Sequence, residues 1–517
     1  MVLCCHKENP LDVDNPSVGP FDGARVEVFV QFNILPPDIG ADTKGDRPED
    51  WGKDPGEDSE RKIDNLYLFA VDYDPLDGKE VVEEVVKVEG QSDGFNTSEL
   101  IVEQEFELRA GIKRFYVGAN MTEAHIQSFR AGLPMRADSY ESALGMVMNN
   151  YQSKNGEGAF ILMFSAPAED AVGYIDIDLK SKRDISLTAR LKRLVSKVMV
   201  VADYDAYKVN ADGRSGETIH YIQSDNGFFF DFQFILNNTN RALAVSEEFV
   251  DIQDRFNVDP NWALSYMIEK DPTGLLRYRD DWDVNDNFTL WNDEEIKSRL
   301  ESVADWWCSS VPSNAIEENY LGQGLYCLEN TVCDDYCLAE GLSAEQKIEA
   351  AYLATTHVCI KARFAPVTIN GESDHMVNET DERISQMYSQ RDSYSGNPYT
   401  FYIHKTNNEF FTYAGATRWI DRGDATWADF DEYTGGWVYF KTFFEEGGKD
   451  DLDGKISFEG IEHWGIRRND YCILTIDDIV NLGDPNPAGA YIKINSHTVP
   501  WVQRGSDEVI IKPKGNK

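Results

Sequence analysis

The chain has little positive charge. Its 49 Lys and Arg are set against 91 Asp and Glu, a formal net charge of −42. Nucleic acids and anionic membrane surfaces are held through basic patches, so charge excludes both as partners. Imidazoles and thiols are also scarce, at eight His and eight Cys in 517 residues. No Cys-x-x-Cys and no His-x-x-x-His occurs, and Cys333 and Cys337 stand without such company. The usual zinc frames are therefore missing. No apolar run approaches the roughly 20 residues that cross a bilayer. A phosphate loop and a His-Glu-x-x-His helix are absent too. Paired carboxylates of the glycosidase kind come from distant strands, and 91 acidic residues offer no preferred pair. No catalytic residue, metal ligand or cofactor is assigned.

What is present is apolar and aromatic. Hydrophobic residues make up 42 % and aromatics 12 %, enough for a substantial core. The length suits two or three domains. Residues 1–22 are rich in Asp, Asn and Pro and read as a tether. ARVEVFVQFNIL then alternates with period two. Val26, Val28, Val30, Phe32 and Ile34 share one face, with Phe29 the apolar exception on the other. Pro36-Pro37 ends this strand, and 39–61 is an acidic, Gly-containing connector suited to proteolysis.

Strand patterns follow at NLYLFAVDYD, 81–88, 101–108, IKRFYVGAN, AFILMFSAP, VGYIDIDL and ISLTARLKRLVSKVMVVADY, which closes a first unit near 205. Helical spacing appears at 122–130, 139–150, 293–305 and 343–352. Beyond 205 come strands at Tyr207, 219–222, FFFDFQFIL and HVCIKARFAPV, a hairpin at Asn407-Asn408, and a final extended segment, 490–511. Pro500 cannot donate to a ladder, so that last segment belongs at an edge or in an exchange, not at a sheet centre. Many short strands between turns predict a mainly β protein of two β-sandwich domains, 23–205 and 206–517, with Greek-key connections and a few short helices.

Several short patterns carry competing readings. Arg422-Gly423-Asp424 spells an integrin-type tripeptide in a Gly- and acid-containing turn, but three residues recur by chance. Asp450, Asp451 and Asp453 fail as an EF-hand, because Lys449 and Gly460 occupy its first and last ligand positions. Asp281, Asp283, Asn285 and Asp286 lack the closing Glu, with Asn292 in its place, and read as a solvated loop. Trp282 and Trp306-Trp307 fit core packing better than a sugar platform. The six cysteines from Cys308 to Cys472 fit buried thiols or one or two disulfides, and spacing does not choose. The start, MVLCCHKENP, reads either as the end of a lipoprotein signal, with Cys5 (or Cys4) lipidated, or as a polar start with two incidental thiols.

The C-terminal quarter carries a family resemblance. Gly436, Tyr439, Trp464 to Ile466, Arg468, Asn469, Tyr471, Leu482, Gly483, Val499, Pro500 and Trp501 follow one another in an order that resembles the minor fimbrillin family, the shaft subunits of type V pili in Bacteroidales. Val117–Asn120, Leu162–Phe164, Arg193–Val198 and 326–331 match it in shorter pieces. The resemblance implies two transthyretin-like β-sandwich domains, export as an outer-membrane lipoprotein, and other fimbrial subunits as partners. It also implies a surface ligand and contact with the membrane only through a lipid anchor before assembly. It implies cleavage after the first strand, a groove left by Val26, Val28, Val30, Phe32 and Ile34, and a neighbour's C-terminal strand filling it. Ile492, Ile494, Val499, Pro500 and Trp501 would be the donor residues. Cleavage at Arg47 is disfavoured by Pro48, which leaves Lys44, with Arg61 as a further alternative. The rival reading is a carbohydrate-binding surface lipoprotein.

Overall fold

The structure is a computed structural model. It describes 25–35, 63–74, 80–89, 100–121, 161–165, 175–177, 184–202, 205–208, 218–240, 325–333, 356–366, 400–443, 463–476 apart from 467, 482–486 and 495–500, with a few shorter pieces. The helices expected at 122–130, 139–150, 293–305 and 343–352 lie almost wholly outside these residues.

The first strands are β1 (Arg25–Leu35), β2 (Asn65–Tyr73), β3 (Glu80–Glu89), β4 (Leu100–Arg109), β5 (Gly111–Ala119), β6 (Met163–Ser165), β7 (Ile175–Ile177) and β8 (Asp184–Arg193). They form one sheet in the order β3-β2-β5-β6-β8-β1-β4, with β7 also on β5. This sheet folds over so that distant strands face each other. Phe32 of β1 meets Phe115 of β5 edge-on at 6.0 Å, although neither strand neighbours the other. The two ends of the sheet also meet. A bulge in β3 leaves Glu83 without a partner on β2, between Val82 and Glu84. Two consecutive carboxylates thereby reach β4, whereas regular alternation would send one away. Glu83 accepts from the Arg109 N–H at 2.7 Å and Glu84 from the Glu107 N–H at 3.2 Å. Lys113, fully buried, offsets the Glu83 charge at 2.5 Å and also pairs with Asp72. The burial of Glu84 raises its pKa above the ordinary carboxylate range.

The later strands begin with β9 (Val195–Ala202), β10 (Asp205–Lys208), β11 (Thr218–Ser224) and β12 (Gly227–Asn237). Short strands follow: β13 (Thr239–Asn240), β14 (Phe249–Val250), β15 (Phe256–Asn257), β16 (Ile268–Lys270), β17 (Leu276–Tyr278) and β18 (Phe288–Thr289). Then come β19 (Leu325–Leu328), β20 (Asn330–Cys333), β21 (His357–Pro366), β22 (Phe401–His404), β23 (Phe410–Phe411) and helix α1 (Tyr413–Arg422). The last are β24 (Phe430–Tyr433), β25 (Trp437–Phe443), β26 (Glu445–Glu446), β27 (His463–Ile466), β28 (Asp470–Ile476) and β29 (Asn495–Pro500). The sheet β10-β11-β12-β21-β25 packs on the sheet β19-β9-β28-β29. Phe229, Phe234, Ile360, Phe364 and Phe440 from one meet Val198, Val200, Cys327, Leu474 and Ile476 from the other. The chain is mainly β, and this pair of layers is a sandwich.

The hydrogen-bonded sheet changes at Leu194. Val195–Ala202 is contiguous with β8 but pairs in parallel with β28 and antiparallel with β19. β19 is a shared wall. Leu325 and Cys327 point into the second core, while Tyr326 and Leu328 point into the first. A strand buried on both faces must be apolar at every position, and this one is.

Helix α1 differs from the turn expected around Arg422-Gly423-Asp424. Thr412 caps its start by accepting from the Gly415 N–H at 3.1 Å. Gly423, at φ 81°, closes its end, with the Gly423 and Asp424 N–H groups donating to the Ile420 and Trp419 carbonyls. The tripeptide is therefore the helix stop signal, since a left-handed cap favours Gly.

Candidate functional site: the first strand and its slot

β1 lies inside its sheet, hydrogen-bonded on both sides. It runs antiparallel to β4 from Arg25↔Arg109 to Ile34↔Leu100, and parallel to β8 from Phe29↔Asp184 to Leu35↔Arg190. Val28, Val30, Phe32 and Ile34 are buried at 0–2 % exposure, Val26 is half-buried, and Phe29 stands outside at 38 %. β1 is therefore not an edge strand of this sheet. Among the described residues β4 and β8 do not pair with each other, and β1 is the strand that lies between them. Taking β1 away would leave two facing edges one strand apart, a gap of roughly 10 Å. Its four buried side chains contribute about 6–12 kcal/mol gross, comparable with the whole stability of a domain. An empty slot would expose that apolar lining and two unpaired strand edges to water. The outer edge of β4 is differently placed. Its Glu107 and Arg109 N–H groups are already taken by the bulged carboxylates of β3, which blunts that edge against pairing.

At the other end of the chain, β29 pairs, among the described residues, with β28 alone, from Asp470↔Pro500 to Thr475↔Asn495. It is the edge of its sheet, where Pro500 costs no ladder bond. Val499 and Pro500 belong to it. Ile492, Ile494 and Trp501 lie outside the described residues, as do Cys4, Cys5, Lys44, Arg47 and Arg61.

The residues that carry the family resemblance converge on one buried junction. The Arg468 guanidinium donates to the Glu329 carboxylate from Nε at 2.7 Å and Nη2 at 2.6 Å, and the Arg468 N–H donates at 3.3 Å. Both side chains are 4 % exposed. Asn469, in the left-handed region at φ 62°, donates its N–H to the Val195 carbonyl. Its side-chain oxygen accepts from the Arg193 N–H and guanidinium at 3.2 and 3.3 Å. Pieces from positions 193–195, 329 and 468–469 therefore lock where the two cores share β19.

The Leu482-Gly483 pair is equally structural. Gly483 has φ 82°, and a Cβ there would stand 2.7 Å from the Phe440 ring and 3.0 Å from the Tyr439 carbonyl oxygen. Gly483→Ala is expected to cost about 1–3 kcal/mol, read as a drop in thermal midpoint. An unchanged midpoint would mean that this turn does not seat on β25.

Among the described residues no group of three His, Cys, Asp or Glu is placed to hold a metal. None of their helices is long and apolar enough to cross a membrane. Cys327, Cys359 and Cys472 are buried. The sequence reading passes over one pattern: Gly90-Gln91-Ser92-Asp93-Gly94 spells a nucleophile elbow. It lies outside the described residues, and the next described element is the strand β4, not the helix such an elbow requires.

No family model and no curated protein matches the chain. Solved structures do. A protein proposed to act in cell adhesion from Parabacteroides distasonis is similar at 12 % identity and TM-score 0.39, over 94 % of this chain and 99 % of that one. The tip fimbrial protein Mfa3 from Porphyromonas gingivalis, with a C-terminal truncation, is similar at 12 % identity and TM-score 0.32, over 92 % and 100 %. The fimbrial anchor protein Mfa2 from Porphyromonas gingivalis is similar at 10 % identity and TM-score 0.23, over 50 % and 75 %.

Proposed function

We propose that this chain is a structural subunit of a surface fimbrium of the type V pilus kind, assembled by strand exchange and serving adhesion. It is not an enzyme. It is made as an outer-membrane lipoprotein anchored through Cys5 (or Cys4). Cleavage at Lys44, with Arg47 and Arg61 as alternatives, frees the strand that holds Val26, Val28, Val30, Phe32 and Ile34. The C-terminal segment of a neighbour, with Ile492, Ile494, Val499, Pro500 and Trp501, takes its place by β-augmentation. A head-to-tail contact of this kind does not close, so it builds a filament.

The observation that carries this reading is β1 itself, held between two strands that do not pair with each other among the described residues. An incoming strand that ran antiparallel to β4 and parallel to β8 would recover both ladders. The edge position of β29 supports the other half, because an edge strand leaves its sheet by breaking one ladder only.

The test is limited trypsin digestion of the full chain followed by electron microscopy, beside a chain lacking 490–517. Loss of residues through the 39–61 connector with filaments appearing is expected for the full chain, and trimmed monomers for the truncated one. Trimmed full-length chains that stay monomeric, or filaments that form without 490–517, would overturn the reading.

A further inference from the structure

Two large rings stand in the open on the small unit built from β22, β23, β24 and α1. Tyr413 is 63 % exposed and Trp427 is 44 % exposed. They stack at 5.4 Å between centroids and 20° between planes. Tyr402 backs them at 6.1 and 5.5 Å. Neither exposed ring belongs to the apolar cluster beneath, which is made by Tyr402, Phe411, Ala416 and Phe430.

Both rings are held in place. Tyr413 directly follows Thr412, the cap of α1. Trp427 directly follows Thr426, which opens a 3-10 turn, Trp427–Asp429. The Asp429 carboxylate closes that turn by accepting from the Thr426 N–H at 2.7 Å and its hydroxyl at 2.8 Å. These bonds hold its pKa below the ordinary carboxylate range. Lys405 adds a bond to the Ala428 carbonyl at 2.9 Å. Trp427 touches Tyr402 and Phe430 of that cluster at 5.5 and 6.2 Å, yet both rings remain exposed, which costs solvation. Fixing both before any ligand arrives removes an ordering cost from binding.

We infer that the Tyr413–Trp427 pair is a binding platform for a neutral saccharide, with Glu432 at its rim. The patch decides the class of ligand. At these exposures the open aromatic area is on the order of 200 Å², far below the roughly 800 Å² per partner of a stable protein interface. It matches one pyranose ring, whose axial C–H face would stack on a ring plane that the Tyr413–Trp427 stack leaves open. Glu432 faces Tyr402 across the β22–β24 ladder and is exposed, so it offers an acceptor for sugar hydroxyls. Thr434 steadies it with a hydrogen bond at 3.3 Å. Asp431, Glu432 and the net charge of −42 disfavour sialylated or sulfated glycans.

This gives the adhesive part of the proposed function a ligand class and rests on it. Binding is read on a single subunit, so it fails or succeeds separately from assembly. The experiment titrates the full chain, and the chain lacking 490–517, with neutral oligosaccharides: cello-, manno- and chito-oligomers and a galactan fragment. Trp fluorescence and calorimetry supply the readouts. At least one is expected to bind both chains, with about ten-fold or greater weakening in Trp427→Ala and in Tyr413→Ala, partial retention in Trp427→Phe, and unchanged thermal midpoints. The proposal is overturned if none of the sugars binds. It is equally overturned if Trp427→Ala and Tyr413→Ala bind as the parent does, or if choline competes fully, which would mark a cation site.

Discussion

Phe32→Ala is expected to destabilise the uncleaved chain by about 3–5 kcal/mol, whereas Phe29→Ala, three residues earlier on the same strand, should fall within about 0.5 kcal/mol. Phe32 is fully buried, with the Phe106 and Phe115 rings edge-on at 6.2 and 6.0 Å. Its removal leaves a cavity that the two remaining rings, rigid and held by their own strands, cannot fill. Phe29 faces outward. Urea unfolding of both variants checks the pair, and equal losses would mean that β1 is not seated with this face inward. The same substitution separates two states of the molecule. If β1 is lost before assembly, Phe32→Ala weakens the precursor and speeds loss of β1 on trypsin treatment, yet leaves the stability of finished filaments untouched. Filaments that melt earlier in the variant would show that β1 is retained in the polymer.

The second large effect is expected at the junction. Arg468→Ala would strand the Glu329 carboxylate in a dry site, and removing one partner of such a pair costs about 3–5 kcal/mol. Replacing both, as Glu329→Leu with Arg468→Met, should recover most of that loss, because no buried charge is then left alone. A double-mutant cycle by chemical denaturation supplies the coupling. Additive losses would mean that the two groups do not share a desolvated contact. The junction joins β19 to the corner before β28, so a single loosened pair should broaden the transition and let the two cores unfold separately.

How much of this was legible in the chain depends on distance along it. β1 was readable to the residue, because alternation at Val28, Val30, Phe32 and Ile34 is a local signal and the outward Phe29 broke it visibly. The hairpin at Asn407-Asn408 and the edge placement of the Pro500 strand were readable for the same reason: turn conformation and a missing N–H act within a few residues. Helix α1 has its signals in the sequence, Thr412 before it and Gly423 after it, but its ten residues run into Arg422-Gly423-Asp424, which resembles a turn as much as a helix end. The strand Val195–Ala202 was recognised as a strand and grouped with its chain neighbours, yet its ladders run to Leu325–Leu328 and Tyr471–Ile476. No local pattern encodes such partners.

The same division applies to the candidate sites. That one face of β1 must be covered and that Pro500 belongs at an edge follow from the residues alone, since each concerns what a side chain or a missing N–H does to its own strand. That β1 lies between two strands that do not pair with each other among the described residues, that Glu83 and Glu84 stop the neighbouring edge, that Arg468 meets Glu329, and that Tyr413 stacks on Trp427 were decided only by the tertiary structure. Each of those facts joins groups that are far apart in the chain or turned toward each other by a bulge or a cap. Pairing, desolvation and ring contact have energies only once such groups have been brought within a few ångströms.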